Sequence, residues 1–254
     1  MRDGRCVRLG GLLGLAMAVS ACSSTSEEKE SSPVEEPTAS QESGATFEPS
    51  PPPGPAEQAA LDRQLLSAAS SGDLDAAQEA VQAGAHLEAR DERRRTPLLL
   101  AVTEDRVEVA RLLVEQGADP DALDVQHDTP WLVTGVTGSV AMLEVLLPAE
   151  PDLTIRNRYG GISVIPASER GHVDYVRRVV RTGIDVNHVN DLGWTALLEA
   201  VILGDGSAAY QEIVRILLRG GADPAIPDGN GVTALEHAEA DGKDAVADIL
   251  RAAG

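Results

Sequence analysis

The sequence contains few aromatic residues and few cysteines. Aromatic residues make up 2% of the 254 positions and cysteine occurs twice, whereas hydrophobic residues as a group reach 43%. A core must therefore be assembled from Ala, Leu, Val and Ile. Small aliphatic side chains favour closely stacked helices over a β-sandwich, which uses bulkier and aromatic residues.

Basic residues are also scarce. The chain has 21 Lys and Arg against 41 Asp and Glu, a formal net charge of −20. Binding to nucleic acid needs a basic surface, so this balance argues against nucleic acid as a partner. The acidic charge favours a basic protein partner. The alternative is that the charge serves only to keep the protein soluble.

Patterns typical of catalytic or metal sites are absent from the sequence. None of the histidines stands at a metal-ligand spacing such as His-x-x-x-His, and no Gly-x-Ser-x-Gly nucleophile motif occurs. The five histidines are His86, His127, His172, His188 and His237. We therefore expect no enzymatic activity, no metal and no cofactor.

The first 21 residues have the layout of a secretory signal peptide. Arg2, Arg5 and Arg8 precede a short apolar run at residues 10–19, and small residues follow that run. The run is shorter than the ~20 residues that span a bilayer, so a retained transmembrane helix is the weaker interpretation.

The sequence Val19-Ser20-Ala21-Cys22 resembles a bacterial lipobox. The resemblance implies removal of residues 1–21, lipid attachment at Cys22 and an extracytoplasmic, lipid-anchored location in a bacterial cell envelope. Two or more acyl chains hold a protein stably on a membrane, whereas one chain does so only marginally. The alternative is an ordinary secretory signal with a cysteine near the cleavage site by chance.

Residues 22–57 form a predicted tether. Ser, Glu, Thr and Pro dominate this stretch, and Val34 and Phe47 are its only large apolar side chains. Such a composition cannot bury enough apolar surface to offset the entropy of ordering, so we expect disorder. The tether would hold the folded part away from the membrane.

From residue 58 onward the chain repeats with a period of 33 residues. The words TPLLLA, TPWLVT, ISVIPA and TALLEA begin 33 residues apart, and TALEHA follows after 38, at Thr96, Thr129, Ile162, Thr195 and Thr233. A second column reads Gly84, Gly117, Glu150, Gly183 and Gly221. Thr or Ile opens a first helix and Gly closes a second, which predicts helix pairs that must stack to bury their apolar faces.

This repeat resembles the ankyrin repeat over residues 58–254. The resemblance implies an all-α solenoid of helix-turn-helix units with β-hairpin fingers, whose fingers and inner helices form a concave surface for binding other proteins. The six predicted units cover residues 58–90, 91–123, 124–156, 157–189, 190–227 and 228–254.

The chain departs from the family pattern at several positions. The family's Thr-Pro-Leu-His word has no His in any unit here, which predicts aliphatic packing in its place. Arg94 and His127 stand where later units have a turn glycine. Glu150 and Pro148 predict an early end to the second helix of unit three. Unit five carries five extra residues within Leu203–Tyr210, either a binding feature or a tolerated loop.

The candidate partner surface follows from where the fingers and the insert fall. It comprises Arg93, Arg95, Gln126, Asp128, Arg158, Tyr159, Leu192, Trp194, Asp205 and Tyr210. Arg and aromatic side chains are enriched in binding hot spots. The competing interpretation has the arginines paired with carboxylates in solvent, where such pairs contribute little, and Trp194 lying on its own helix.

Together these features predict a membrane-anchored, extracytoplasmic, monomeric scaffold that binds a protein partner. A narrower form of this prediction is an inhibitor or immunity factor, whose acidic charge steers a basic target. The alternative is a small-molecule or ion-binding lipoprotein, a class that usually presents a deep cleft.

Overall fold

The computed structural model of the chain describes residues 54–253. Within this range twelve α-helices form six antiparallel pairs, one pair in each predicted unit. In chain order they are α1 (Pro55–Ser71), α2 (Leu74–Gln82), α3 (Pro97–Thr103), α4 (Val107–Glu115), α5 (Pro130–Thr137), α6 (Val140–Leu146), α7 (Val164–Glu169), α8 (Val173–Val179), α9 (Ala196–Ile202), α10 (Ala208–Arg219), α11 (Ala234–Ala240) and α12 (Asp244–Arg251). This is the all-helical solenoid that the repeat predicted.

The start of α1 lies earlier than the predicted domain boundary. Residues 55–57, which the sequence analysis placed in the tether, belong to the first turn of α1. Gly54 is the N-cap and Pro55 occupies the first helical position, where a missing N–H costs no hydrogen bond. The signal peptide, Cys22 and the rest of the tether lie outside the described residues.

Threonine opens the inner helices as the repeat predicted. In four units the Thr side chain accepts a hydrogen bond from the backbone N–H three residues later, at Thr96, Thr129, Thr195 and Thr233. Unit four has Ile162 in this column, and its helix α7 begins after Ser163 without a side-chain cap. The closing glycines have positive φ, such as 90° at Gly117, which is the conformation that ends a helix most readily in glycine.

The apolar columns of the repeat form one continuous core. Leu65, Leu98, Trp131, Val164 and Leu197, one from each of the first five inner helices, all lie within it. The positions that carry His in the family are aliphatic and buried in units two to five, at Leu99, Leu132, Ile165 and Leu198, whereas Leu66 of unit one is half-buried and unit six has the exposed Glu236. The predicted aliphatic packing is therefore confirmed at these four positions.

The second helix of unit three ends early, as expected. Helix α6 stops at Leu146, and a short 3₁₀ turn, Leu147–Ala149, completes the unit. Pro148 lies within this turn. Because proline has no N–H to donate, the α-helix does not continue through it. Glu150 takes a left-handed conformation, with φ 52°, in the column where other units have glycine.

Units three and four touch most closely at Gly135. A Cβ atom at this position would lie 2.0 Å from the backbone oxygen of Ser163, so only glycine allows α5 to approach α7 this closely. Nearby, the buried hydroxyls of Thr134 and Tyr175 lie 2.7 Å apart. Burial raises the pKa of Tyr175 to about 12, so this phenol is neutral at physiological pH.

The predicted β-hairpin fingers are tight turns rather than strands. Between residues 54 and 253 no residue has a strand conformation. We number each finger by the unit that it opens, so finger five is the turn at residues 190–194. In this finger, the N–H of Asn190 donates to the Trp194 carbonyl and the N–H of Gly193 donates to the Asn190 carbonyl. Contact between successive fingers is limited to isolated bonds, such as Asp191 N–H to Tyr159 carbonyl at 3.0 Å. A turn of five residues leaves no length for a ladder between strands.

Candidate protein-binding surface

Each finger is built on one Asp or Asn side chain. Its Oδ1 atom accepts the backbone N–H groups two and four residues later, which closes the turn. These residues are Asp91, Asp124, Asn157, Asn190 and Asp228. This column was not among the predicted features, although it recurs with the period of the repeat, which was the signal for it in the sequence. The motif fixes the direction in which each finger tip points.

Two finger turns carry a left-handed residue other than glycine. Arg94 and His127 have φ values of 60° and 61°, at the position that Gly160 fills in finger four. The carbonyl of Arg94 accepts a hydrogen bond from Arg90 Nη1 at 2.8 Å. The same Nη1 atom donates to the Leu123 carbonyl, which ties finger two to the loop before finger three.

Four of the predicted surface residues line one groove, the first groove. Arg93 and Arg95 from finger two face Gln126 and Asp128 from finger three, above the inner helices α3 and α5. The groove has a volume of about 230 Å³. Arg95 is held by Asp91 of its own finger at 2.8 Å, so part of its charge is already compensated.

Three more predicted residues line a second groove, the acidic groove, between fingers four and five. Arg158, Tyr159 and Leu192 form its rim, and its volume is about 390 Å³. Tyr159 and Leu192 are 56% and 60% exposed, so they place apolar surface at the rim of this groove. The Arg158 guanidinium lies 4.7 Å from the Tyr159 ring centre and donates to Gln126 Oε1 at 2.6 Å. Arg158 therefore connects the rims of the two grooves.

The floor of the acidic groove carries two glutamates that the sequence analysis did not select. Glu199 on α9 is only 5% exposed, and Glu169 on α7 is half-buried. Asn190 Nδ2 donates to Glu199 Oε1 at 2.9 Å. Burial, and then the charge of Glu169, raise the pKa of Glu199 to about 7 against the lowering effect of Asn190. A carboxyl that titrates near neutral pH is characteristic of functional sites, although structural clusters produce the same shift.

The remaining three predicted residues lie outside both grooves. Trp194 is half-buried and packs against the core. Tyr210 donates its hydroxyl to the Glu169 carbonyl at 2.8 Å. Asp205 is exposed and accepts the backbone N–H of Ser207 at 2.9 Å.

The insert of unit five is held at both ends instead of projecting freely. Tyr210 lies against Gly171 of unit four, while Gly206 contacts the side chain of Lys243 in unit six. The Lys243 ammonium donates to the Val201 carbonyl at 2.7 Å. These contacts make the insert a brace between units four, five and six.

A row of arginines on the outer helices was also missed. Arg177, Arg181 and Arg219 line a groove of about 350 Å³. The arginine-rich stretch Arg93–Arg95 is therefore accompanied by a second group of basic side chains on this acidic protein. Arg177 and Arg219 both contact Glu212, which offsets much of the local charge. The sequence signal for this row was the four-residue spacing of Arg177 and Arg181, which places both side chains on one helix face.

The described residues show neither a metal cluster nor a membrane span. Over 54–253 no group of three or more His, Cys, Asp or Glu side chains is arranged to hold an ion. Over the same range, every helix falls short of the length and apolar character that crossing a bilayer requires. What the described surface offers is two open grooves lined by fingers and inner helices, a geometry suited to an extended partner.

Comparisons with known proteins agree with this geometry. The family description "Ankyrin repeats (3 copies)" matches residues 65–157, 132–228 and 164–254. The putative ankyrin repeat protein YahD of Escherichia coli (strain K12) is 36% identical over 195 residues, 76% of this chain and 97% of YahD. A solved ankyrin repeat domain from Acinetobacter baumannii AYE is 43% identical, with a TM-score of 0.72 over 75% of this chain and 97% of that domain.

A further similar structure is the ankyrin repeat domain of Bcl-3, described as a unique member of the IkappaB protein family. It is 30% identical, with a TM-score of 0.68 over 75% of this chain and 86% of that domain. The repeat, the stacked helix pairs and these matches lead to one conclusion: the chain belongs to the ankyrin-repeat family.

Proposed function

We propose that this protein is a lipid-anchored, extracytoplasmic scaffold of a bacterial cell envelope that binds a protein partner through its concave face. Ankyrin repeats generally mediate interactions between proteins. The observation that carries the binding role is that seven of the ten predicted surface residues line two adjoining grooves. Exposed Tyr159 beside Arg158 brings together two residue types that are enriched in binding hot spots.

The anchoring part of the proposal rests on the sequence around Cys22. A lipid on this cysteine and a polar tether up to the first helix would place the grooves clear of the bilayer surface. The excess of glutamate in the tether supports this placement, because anionic headgroups repel it.

Anchoring is tested with a pair of cysteine variants of the full chain in bacterial cells fed an alkyne fatty acid. We expect Cys22→Ser to lose both the fatty-acid label and recovery in the membrane fraction. Cys6→Ser is the matched control, since it lies in the segment that would be removed, and it should keep both. Labelling of the Cys22→Ser variant would overturn the anchor.

Partner binding is tested by crosslinking on intact cells, followed by purification of the protein under denaturing conditions. The control is an unrelated folded domain on the same anchor and tether. We expect specific protein bands that disappear when the exposed rim is removed by Tyr159→Ala with Leu192→Ala. Identical crosslinks for the protein and the control domain would overturn the scaffold role.

The narrower role of an inhibitor or immunity factor depends on the acidic charge. A net charge of −20 accelerates association with a basic protein, and salt weakens this effect. Deletion of the gene should then lower the tolerance of the cells to a co-secreted basic factor. Unchanged tolerance to every such factor would exclude this narrower role and leave partner binding intact.

A further inference from the structure

The acidic groove combines a buried carboxyl with apolar walls. Glu199 is 5% exposed yet lines the groove, and Leu192 and Leu203 stand beside it with exposures of 60% and 49%. Glu169 adds a second carboxyl from the neighbouring inner helix. The two carboxyl groups at the floor and the two leucine side chains at the rim suit a ligand that has a cationic end on an aliphatic stem.

The hydrogen bonding of Glu199 is incomplete. Among the described residues, Asn190 reaches Oε1, and no donor is within hydrogen-bond distance of Oε2. Within the described residues the buried side-chain atoms without a partner are Trp131 Nε1 and Ser163 Oγ, so Glu199 Oε2 is open to the solvent of the groove. The groove therefore holds an acceptor for which the described part of the protein supplies no donor.

The basic side chains in and near the groove do not donate to Glu199 Oε2. Arg158 stacks over Tyr159 and donates to Gln126 on the neighbouring finger. Arg170 follows the C-terminus of α7 and is exposed, and the hydrogen bond that Glu199 accepts within the described residues comes from Asn190. On the side of unit six, Lys243 donates to backbone carbonyls of α9 and to Asp241. His237 is bound to Asp228.

We propose that the acidic groove receives an arginine or lysine side chain of the protein partner, whose cationic head is bound by Glu199 and Glu169. This inference rests on the proposed scaffold function and specifies the chemistry that its partner must present. The aliphatic stem of the incoming side chain would lie along Leu192 and Leu203, as basic side chains commonly do on apolar surfaces. Arginine fits best, since its planar guanidinium donates two parallel hydrogen bonds to carboxylates.

Binding of the cation has a proton consequence. Below neutral pH the Glu199 carboxyl carries a proton, since burial and Glu169 raise its pKa to about 7. An arriving cation favours the carboxylate, so Glu199 releases this proton to the buffer as the ion pair forms. Association at pH 6 should therefore release protons, and the affinity should rise between pH 6 and pH 8.

The test uses the purified full chain and two peptides, Ac-Leu-Arg-Leu-NH₂ and its uncharged analogue with citrulline in place of arginine. Binding is followed by NMR shifts of the isotope-labelled protein, and proton release by calorimetry in two buffers of different ionisation enthalpy. We expect the arginine peptide to bind about ten-fold more tightly than the citrulline peptide, since hydrogen bonds to charged groups contribute about 1.5–3 kcal/mol.

A pair of glutamate variants separates the groove from general attraction to an acidic protein. Glu199→Gln should weaken binding of the arginine peptide about ten-fold and abolish proton release. Glu115→Gln removes one exposed carboxyl from outer helix α4 and should leave both unchanged. Glutamine can still accept the Asn190 hydrogen bond, so Glu199→Gln keeps the fold.

Three outcomes would overturn the inference: equal binding of the two peptides, equal effects of the two variants, or NMR shifts that avoid α7 and α9. They leave the scaffold function untouched, because crosslinking on cells tests that function separately. If a crosslinked partner is found and Glu199→Gln crosslinks as well as the unaltered chain, the partner binds elsewhere on the concave face.

Discussion

Units two to four and units five and six follow one backbone plan but differ at one position of the inner helix. Nine residues after the residue that builds each finger, the first group has Leu100, Val133 and Pro166, whereas the second has Glu199 and His237. In the first group the fingers therefore stand over an apolar helix face. In the second group a polar side chain joins the finger to the helix.

The residue that builds the finger matches its helix partner in each of these two units. Asn190 uses Oδ1 for the turn and has an N–H group left to donate to the carboxyl of Glu199. In unit six the partner is His237, and Asp228 supplies an acceptor for it at 3.0 Å. An aspartate at 190 would have no N–H to donate. In both units, therefore, a polar residue at this position of the inner helix is accompanied by a finger residue that can hydrogen-bond to it.

The largest predicted effect lies within the first group, where unit three meets unit four. Gly135→Ala places a Cβ atom 2.0 Å from the backbone oxygen of Ser163, and backbone on both sides leaves no flexible atom to move aside. Overpacking typically costs about 1–3 kcal/mol, and we expect at least the upper end of this range here. Urea denaturation followed by circular dichroism measures the free energy of unfolding.

Gly229→Ala is the control for this change. A Cβ atom there would have its nearest neighbour, the Leu192 carbonyl oxygen, at the ordinary distance of 3.8 Å. A loss at Gly135 no larger than that at Gly229 would show that units three and four can separate at no cost.

The second prediction compares the two groups directly through their finger residues. Asn157→Ala removes only the acceptor of finger four, and we expect a loss of about 1 kcal/mol. Asn190→Ala removes the same acceptor and also the donor to buried Glu199, so its loss should exceed that of Asn157→Ala by another 1–2 kcal/mol or so. Thermal and urea unfolding at pH 8, where Glu199 is mostly ionised, measure the difference. Equal losses would mean that the Asn190–Glu199 contact stabilises nothing.

How far the sequence predicts this structure differs between helices and grooves. The stacked pairs were predictable because every unit repeats the same apolar columns, from Leu65 to Leu197, and only a solenoid buries all of them. The role of Glu199 was not predictable from the sequence, because a glutamate on a short helix is normally exposed. Its burial arises from the neighbouring finger and α7, contacts that no local pattern encodes. The insert was ambiguous for the same reason, since Tyr210 contacts unit four, some forty residues away in sequence.

The third prediction concerns pH and distinguishes unit five from the apolar units. The folded-state pKa of Glu199 is raised to about 7 from an ordinary value of 4.5, so folding favours its protonated form. Its contribution to stability is therefore complete below about pH 4.5 and is lost as pH rises through about 7. Glu199→Gln removes this loss and should raise the free energy of unfolding on the order of 1–2 kcal/mol at pH 8, with little change at pH 4.5.

The measurement is a series of urea titrations from pH 4.5 to pH 8 on the unaltered chain and on Glu199→Gln. Glu104→Gln, which changes an exposed carboxyl at the end of α3, should run parallel to the unaltered chain. A constant difference between the unaltered chain and Glu199→Gln across the pH range would show that the buried carboxyl does not titrate as described.

The smallest predicted effect tests the insert, which only unit five has. Tyr210→Phe keeps the ring against Gly171 and Gly204 and removes the hydroxyl that donates to the Glu169 carbonyl. This carbonyl lies at the C-terminus of α7, where helix carbonyls lack partners within the helix. Because the site is only half-buried, water can replace the hydroxyl, and the loss of stability should be about 1 kcal/mol or less. Tyr159→Phe, on an exposed ring, should change stability by still less in the same urea titration. If the two variants unfold identically, the hydroxyl of Tyr210 does not brace unit five against unit four, and only ring packing connects the insert to its neighbour.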